Sequence, residues 1–408
     1  MIDIFAEPFK LKSNLAKSLV GGIAFMAVFS SCSLSLYNYS PLSSKKSVDQ
    51  FNKYYSIRLN SRTAGQAFGA HYWEKNNIIW VGAEGIMSTN IHNGSTRYHD
   101  QLPMNFSQPA RFLSKEVLAG PNNVYHRDGG VFRHVLGGFT CWHECASSLL
   151  GGALILGEYG ERIYRYDPGK SRLSLLFKNP EQTRHFHFST VDPFTDSIYS
   201  SLGDSHTHWV TGIMRIDKSG KNWDWIHVAR GSLQSNHRQP TAVHFEEDRI
   251  IFGSDDPPHG IFAMDRSGKN IRQMFLMDQA SKSWFTGIIR TGNSYWAISR
   301  SFSQKPEFGV LWWSDTGDSW YPVQYFEDIP YWLRSDKDNR HVSVGFGFAS
   351  SASKVILYDV PDPKQFIKVV EGQSLDIIPA WKSVLLAISR SYVDVGKSVL
   401  RLFVRGVL

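Results

Sequence analysis

GIMRIDKSGKN (Gly212–Asn222) and GIFAMDRSGKN (Gly260–Asn270) align without a gap, 48 residues apart. GVLWWSDTGDSW (Gly309–Trp320) follows after a further 49 residues, and RIYRYDPGK (Arg162–Lys170) precedes the first copy by 50. Each is a strand-like run that ends in Asp with Gly close behind. That is the chemistry of a hairpin, since the short polar side chain caps turn amides and Gly supplies positive φ. Weaker copies are MSTNIHNGSTR (Met87–Arg97), VYHRDGG (Val124–Gly130) and VILYDVPD (Val355–Asp362). The turn signals therefore fall at Asn93, Asp128, Asp167, Asp217, Asp265, Asp315 and Asp359.

Between these signals recur pairs of strand runs. HFHFST/VDPFTD/SIYSSLGD (His185–Asp204), TAVHF/EED/RIIFGSD (Thr241–Asp255) and FTGII/RTGN/SYWAISR (Phe285–Arg300) share one pattern. No long amphipathic helix interrupts the series. Four strands per repeat and about seven repeats predict an all-β, seven-bladed β-propeller. Six or eight blades are the alternatives left by the degenerate end repeats. The closing blade is expected from SVLRLFVRGVL (Ser398–Leu408), alone or with the strand near NIIWVGAEG (Asn77–Gly85).

Aromatics make up 14% of the 408 residues and charged residues only 20%, which suits many short strands or a sugar-stacking surface. The net charge of +7 favours an acidic ligand or an anionic surface. No basic block or recognition helix points to nucleic acid.

At the N-terminus, Lys10, Lys12 and Lys17 precede the apolar run Leu19–Phe29, followed by Ser30, Ser31 and Cys32. Eleven residues are too few to span a bilayer but match the core of a secretory signal. The small residues before Cys32 are similar to a bacterial lipoprotein cleavage box, which would make Cys32 the lipidated residue. An uncleaved anchor is the alternative. The expected organisation is residues 1–32 as signal or anchor, 33–52 as linker and 53–408 as propeller.

The segment Asp315–Trp320 matches the Asp box, D-x-G-x-[ST]-W, of sialidase-like propellers. With GEYGERIYRYD (Gly157–Asp167), RHFHFSTVDPFTDSIYSSLGD (Arg184–Asp204) and FGSDDPP (Phe252–Pro258), the middle of the chain resembles the BNR-repeat, sialidase-like proteins often described as glycosyl hydrolases. The resemblance implies a propeller and carbohydrate work. It does not extend to sialidase chemistry, because no Arg-Ile-Pro segment or Tyr–Glu pair is assignable.

Candidate site residues come from equivalent places in the repeats. Aligning the ends of the second strand runs brings Glu84, Glu158, Asp204, Asp255 and Arg300 together. The pairs His185/His187 and His206/His208 each put two imidazoles on one face of an extended segment. With Asp204 they could hold a divalent metal (Zn or Ca), supply an imidazole base, or form a structural His–Asp network. Arg184 and Arg238 precede the first strands of successive blades, and Arg238 with Asn236 and His237 suits a carboxylate. Trp284 offers a sugar-stacking face. The sequence therefore predicts an extracytoplasmic protein that cleaves an acidic polysaccharide, as hydrolase or uronate lyase. Glu158, His185, His187, Asp204, His208 and Asp255 would be its catalytic groups. Arg184, Asn236, His237, Arg238, Trp284 and Arg300 would bind substrate. A non-catalytic glycan-binding or assembly propeller is the alternative.

Cys141 and Cys145 lie in TCWHECASS. As a strand this run holds their Cα atoms about 13 Å apart and aligns Cys141, His143 and Cys145 on one face. As a turn it permits a bridge. Two buried thiols are the favoured expectation.

Overall fold

The computed structural model describes residues 62–63, 70–82, 85–106, 110–142, 144–180, 185–203, 210–230, 239–255, 259–276, 283–301, 308–346 and 355–360. They form seven four-stranded antiparallel sheets, arranged as the blades of a propeller. Blade 1 spans residues 71–100, blade 2 112–137, blade 3 146–178, blade 4 185–230, blade 5 240–276 and blade 6 283–326. Blade 7 takes three strands from 330–359 and its fourth from Arg62–Thr63, which pairs with Ile356 and Leu357. The ring is thus closed from upstream of Asn77, not by a strand near Asn77–Gly85. Residues 398–408 lie outside the described residues.

The alternation of burial explains the strand roles. Second and third strands such as Leu154–Gly157 and Gly309–Ser314 are buried at every position, because neighbouring blades cover both faces. Their sequences are accordingly continuous apolar runs. The fourth strand Thr96–Asp100 is exposed over its first three residues and reads as polar. Each blade-to-blade seam fills with one apolar cluster. One joins Ile251, Phe285, Ala297 and Trp312 of blades 5 and 6, and another joins Trp296, Leu311, Val342 and Phe346 of blades 6 and 7.

Six of the seven turn signals, at the end of the third strand or just after it, mark the hairpins from the third to the fourth strand of blades 1 to 6. The seventh, Asp359, ends the third strand of blade 7. In blade 4 the Asp217 carboxylate accepts the Ser219 amide and hydroxyl, the Lys221 amide and the Asn222 side chain. Burial alone would raise its pKa; these hydrogen bonds carry it down to about 2. Asp265 makes the same four hydrogen bonds in blade 5. In blade 6 the equivalent residue is Ser314, whose Oγ accepts the Gly317 amide at 2.7 Å. The turn signal assigned to Asp315 therefore belongs one residue earlier. Gly220, Gly268 and Gly317 hold φ of +72°, +79° and +85°. A Cβ on Gly220 or Gly268 would also strike the carbonyl of Leu176 or Ile226, on the last strand of the preceding blade.

The first strands of blades 4 to 7 each carry a bulge, between Phe186 and Ser189, Pro240 and Ala242, Phe285 and Gly287, and Pro330 and Trp332. In blades 4 to 6 the bulged side chain latches onto the next blade. Thr241 Oγ1 donates to the Phe285 carbonyl at 2.6 Å, and Thr286 Oγ1 to the Pro330 carbonyl at 3.1 Å. His187 occupies this place in blade 4, its Nδ1 lying 3.2 Å from the Pro240 carbonyl.

Candidate functional site

The ends of the second strands meet the starts of the first strands at one rim of the propeller. The bulge adds a residue to the count, so strand pairing corrects the sequence alignment. Asp255 donates its amide to Gln239 O, and Arg300 pairs with Trp284, one residue before the bulge region in each blade. The equivalents are Gly203, opposite His185, in blade 4 and Tyr159, whose amide donates to Thr140 O, in blade 3. Asp255 and Arg300 thus share a position as expected. Glu158 falls one residue short of it, and Asp204, outside the described residues, follows Gly203 in the chain.

A small open pocket lies at this rim. Its principal walls are Trp142, Glu144, Glu158, Tyr159, Phe186 and His187. The Trp142 and Tyr159 rings stack at 4.9 Å and 19°, and His185 lies against the other neighbourhood of Tyr159 with centroids 3.9 Å apart. His185 and His187 are 5.0 Å apart, ring to ring. Gly203 makes this arrangement possible, because a Cβ there would overlap the His187 imidazole.

Both nitrogens of His187 face oxygens. Nδ1 faces the Pro240 carbonyl and Nε2 lies 3.9 Å from Asp255 Oδ2, too long for a hydrogen bond. The His187 and Asp255 side chains are 6% and 5% exposed. His185 is also buried. Both oxygens of Glu158 accept from Arg162, at 2.7 Å each, and that hydrogen bond raises the Arg162 pKa. Arg300 is buried with its guanidinium 4.3 Å from the Trp284 ring centroid and 4.7 Å from that of Tyr331. These are cation–π contacts made inside the fold.

The structure therefore brings together Glu158, His185, His187 and Asp255, and separately pairs Arg300 with Trp284. Arg184, Asp204, His206, His208, Asn236, His237, Arg238 and Cys32 lie outside the described residues. No group of three His, Cys, Asp or Glu side chains among the described residues is arranged to hold a metal. Two of the four histidines considered as ligands are not among them.

Cys141 and Cys145 are joined by a disulfide, with Cα atoms 5.5 Å apart. This overturns the expectation of two buried thiols and of a Cys–His–Cys strand face. The run is a turn, and the sulfurs spend their valence on each other. The bridge also delivers Trp142 and Glu144, which sequence reasoning did not select. Glu144 Oε1 pairs with Arg334 at 2.6 Å. The signal available was the pair of cysteines bracketing three residues, together with the Tyr after Glu158 in GEYG.

No family model matches the chain, and no curated protein matches it. Solved structures do. The extracellular domain of the hybrid two component system BT4673 from B. thetaiotaomicron aligns with a TM-score of 0.52 and 12% identity, covering 73% of this chain and 38% of that one. A chain of the mitotic checkpoint complex aligns at 0.51 and 13%, covering 74% and 95%. YCF48 bound to D1 peptide aligns at 0.50 and 14%, covering 74% and 96%. At this identity the likeness shows the fold alone.

Proposed function

We propose that this chain is an exported propeller that binds a glycan at the rim pocket of blades 3 and 4, without cleaving it. The observation that carries the reading is the pocket's make-up. Half-buried Trp142 and Tyr159 give the wall apolar aromatic surface, and the Glu144 and Glu158 carboxylates beside them have lone pairs left to accept from sugar hydroxyls. Among the described residues, two candidate catalytic groups are committed elsewhere. Glu158 is clasped by Arg162, and His187 serves as the latch that Thr241 and Thr286 provide in the next two blades. An acidic polysaccharide is the ligand class, in keeping with the +7 net charge, with Arg184 and Arg238 as its carboxylate partners. Kinship with the BNR, Asp-box propellers is part of this proposal. It draws on the shared turn chemistry of Asp217 and Asp265.

Export agrees with the Cys141–Cys145 disulfide, since such bonds persist in oxidising compartments. It agrees also with the extracellular origin of the BT4673 domain. Attachment through Cys32 belongs to the same reading. No helix among the described residues is long and apolar enough to cross a membrane.

A second reading keeps the cleavage reaction, as hydrolase or uronate lyase. It is favoured by one feature, the placing of Asp255 3.9 Å behind His187 in the pocket wall. One experiment separates the two. The purified protein is run through gels containing acidic or neutral polysaccharides while solutions of the same polymers are assayed for new reducing ends and for the ultraviolet absorbance of unsaturated uronate. Retardation with neither product is expected. Product formation overturns the binding reading in favour of the enzyme, and the absence of both from a broad panel overturns each.

A further inference from the structure

We propose that the loop from Cys141 to Cys145 is a redox-sensitive clasp. Stapled by its disulfide, it reaches across the central channel and ties blade 7, where the ring closes, to blade 3. The device is independent of what the rim pocket binds.

The loop is an enlarged version of the bulge found in other blades. In blade 5 two residues, Pro240 and Thr241, separate Gln239 from Ala242; Gln239 O accepts the Asp255 amide and Ala242 pairs with Gly253. In blade 3 the corresponding hydrogen bonds run from the Tyr159 amide to Thr140 O and from the Gly157 amide to Cys145 O. Four residues, 141 to 144, lie between these anchor points. Strand pairing fixes the ends of the segment, and the disulfide gathers its middle by holding the two Cα atoms 5.5 Å apart. Both cysteines are buried among Phe112, Val117, Leu154 and Leu156, in the seam of blades 2 and 3. The staple is the foot of the clasp.

Its arms land on other blades. Trp142 meets Tyr331 of blade 7 at 6.3 Å between ring centroids, and the Arg300 guanidinium of blade 6 lies 6.0 Å from the Trp142 ring. The same guanidinium lies against Trp284 and Tyr331, so one cation gathers aromatic rings from blades 3, 6 and 7. Glu144 Oε1 accepts from Arg334 of blade 7 at 2.6 Å. Apolar seams join each blade to the next in chain order, and Ile78 and Trp80 of blade 1 pack with Val355 and Leu357 of blade 7. Blades 3 and 7 are therefore separated by blades 1 and 2 on one side and by blades 4 to 6 on the other. Direct contact between their side chains crosses the channel. Blade 7 is also where the described main chain closes the ring, through the pairing of Arg62 with Leu357 and of Thr63 with Ile356. The clasp adds a second tie at the inner end of that blade.

Reduction releases the foot. A dithiol attacks one sulfur to give a mixed disulfide, then closes on itself and leaves as its own cyclic disulfide. Its two protons pass to Cys141 and Cys145, which become thiols. The loop is then free to widen, and Trp142 and Glu144 are no longer aimed at blades 6 and 7. Cys141 and Cys145 are 1% and 3% exposed, so a reductant reaches them when the loop lifts. The arms thereby protect the foot.

The test is amide hydrogen exchange read by mass spectrometry on the full-length protein, oxidised and after treatment with dithiothreitol. A purely local staple predicts loosening that fades along the ring, through blades 2 and 4, then 1 and 5, and last 6 and 7. The clasp predicts that strands His341–Phe346 and Val355–Asp359 of blade 7 exchange about tenfold faster or more, while Arg249–Ser254 of blade 5 stays within about threefold. Loosening that leaves blade 7 no faster than blade 5 in a folded chain overturns the clasp. Where reduction unfolds the chain or fails to reach the bond, two variants with the disulfide intact decide. Glu144→Ala, made on blade 3, should speed exchange in blade 7 more than in blade 4. Arg334→Gln, made on blade 7, should speed reduction of the disulfide by about threefold or more, although loss of a cation disfavours approach of the attacking thiolate. Unchanged exchange in blade 7 of the first variant, or an unchanged reduction rate in the second, overturns the proposal.

Discussion

Replacing His187 distinguishes a structural latch from a catalytic base. In His187→Ala the Pro240 carbonyl loses the imidazole partner 3.2 Å away, and an unsatisfied buried acceptor costs about 1–3 kcal/mol. The ring also vanishes from a site where Gly203 contributes no side chain to fill the gap, which adds about 2 kcal/mol at the low end of large-to-small core changes. The sum is about 3–5 kcal/mol. His187→Thr installs the residue that makes the same bond in blades 5 and 6, so the hydrogen-bond component returns and about 1–2 kcal/mol of lost packing remains. A difference of about 2 kcal/mol separates the variants, or about 4 °C in Tm for a domain of this size. Urea unfolding followed by circular dichroism, with thermal scans at two rates to expose irreversibility, measures it. Equal stability of the Ala and Thr variants would refute the latch. So would a His187→Ala protein as stable as the parent.

Other consequences follow from the same structure. Gly203→Ala should destabilise the parent through overlap with His187 yet be nearly neutral in His187→Thr, a coupling that a double-mutant cycle by urea unfolding reads directly. Replacing both cysteines by Ala frees a five-residue loop and should lower stability by about 2 kcal/mol, measured in the same way. His244 has its pKa lowered from 6.5 to about 4, first by burial, with Arg290 and Arg249 acting in the same sense against Glu246. The unfolded chain therefore binds the proton first, and stability falls as pH drops from above 6.5 towards 4, by at most about 3 kcal/mol. His244→Gln should flatten that slope, and an unchanged slope would contradict the assignment.

Much of the fold was legible because its turns need particular atoms. A hairpin whose carboxylate must cap four groups, and whose glycine must take positive φ against the preceding blade, cannot drift far in sequence. Asp217 and Asp265 therefore kept their surroundings, and Ser314 holds the same place in its turn, one residue before the Asp315 that the pattern picked out. The paired apolar runs were legible because seams bury both faces of the inner strands. Blade closure was not, since the two residues Arg62 and Thr63 carry no pattern of their own. The site was legible in part. His185, His187 and Asp255 do converge, but the bulges shift the register so that Glu158 falls one residue short and Tyr159 takes its expected place. The Cys141–Cys145 loop read equally as strand or turn. Only its pairing partners, and its reach to blade 7, decide between them.

The most direct test of the account compares Tyr159→Ala with His187→Thr, using whichever glycan the gel panel retards, by calorimetric titration. The account predicts that Tyr159→Ala, which removes the aromatic wall between Trp142 and His185, weakens binding at least tenfold, while His187→Thr stays within about threefold of the parent. Retained affinity in Tyr159→Ala, together with loss of a glycan-cleaving activity in His187→Thr, would contradict it.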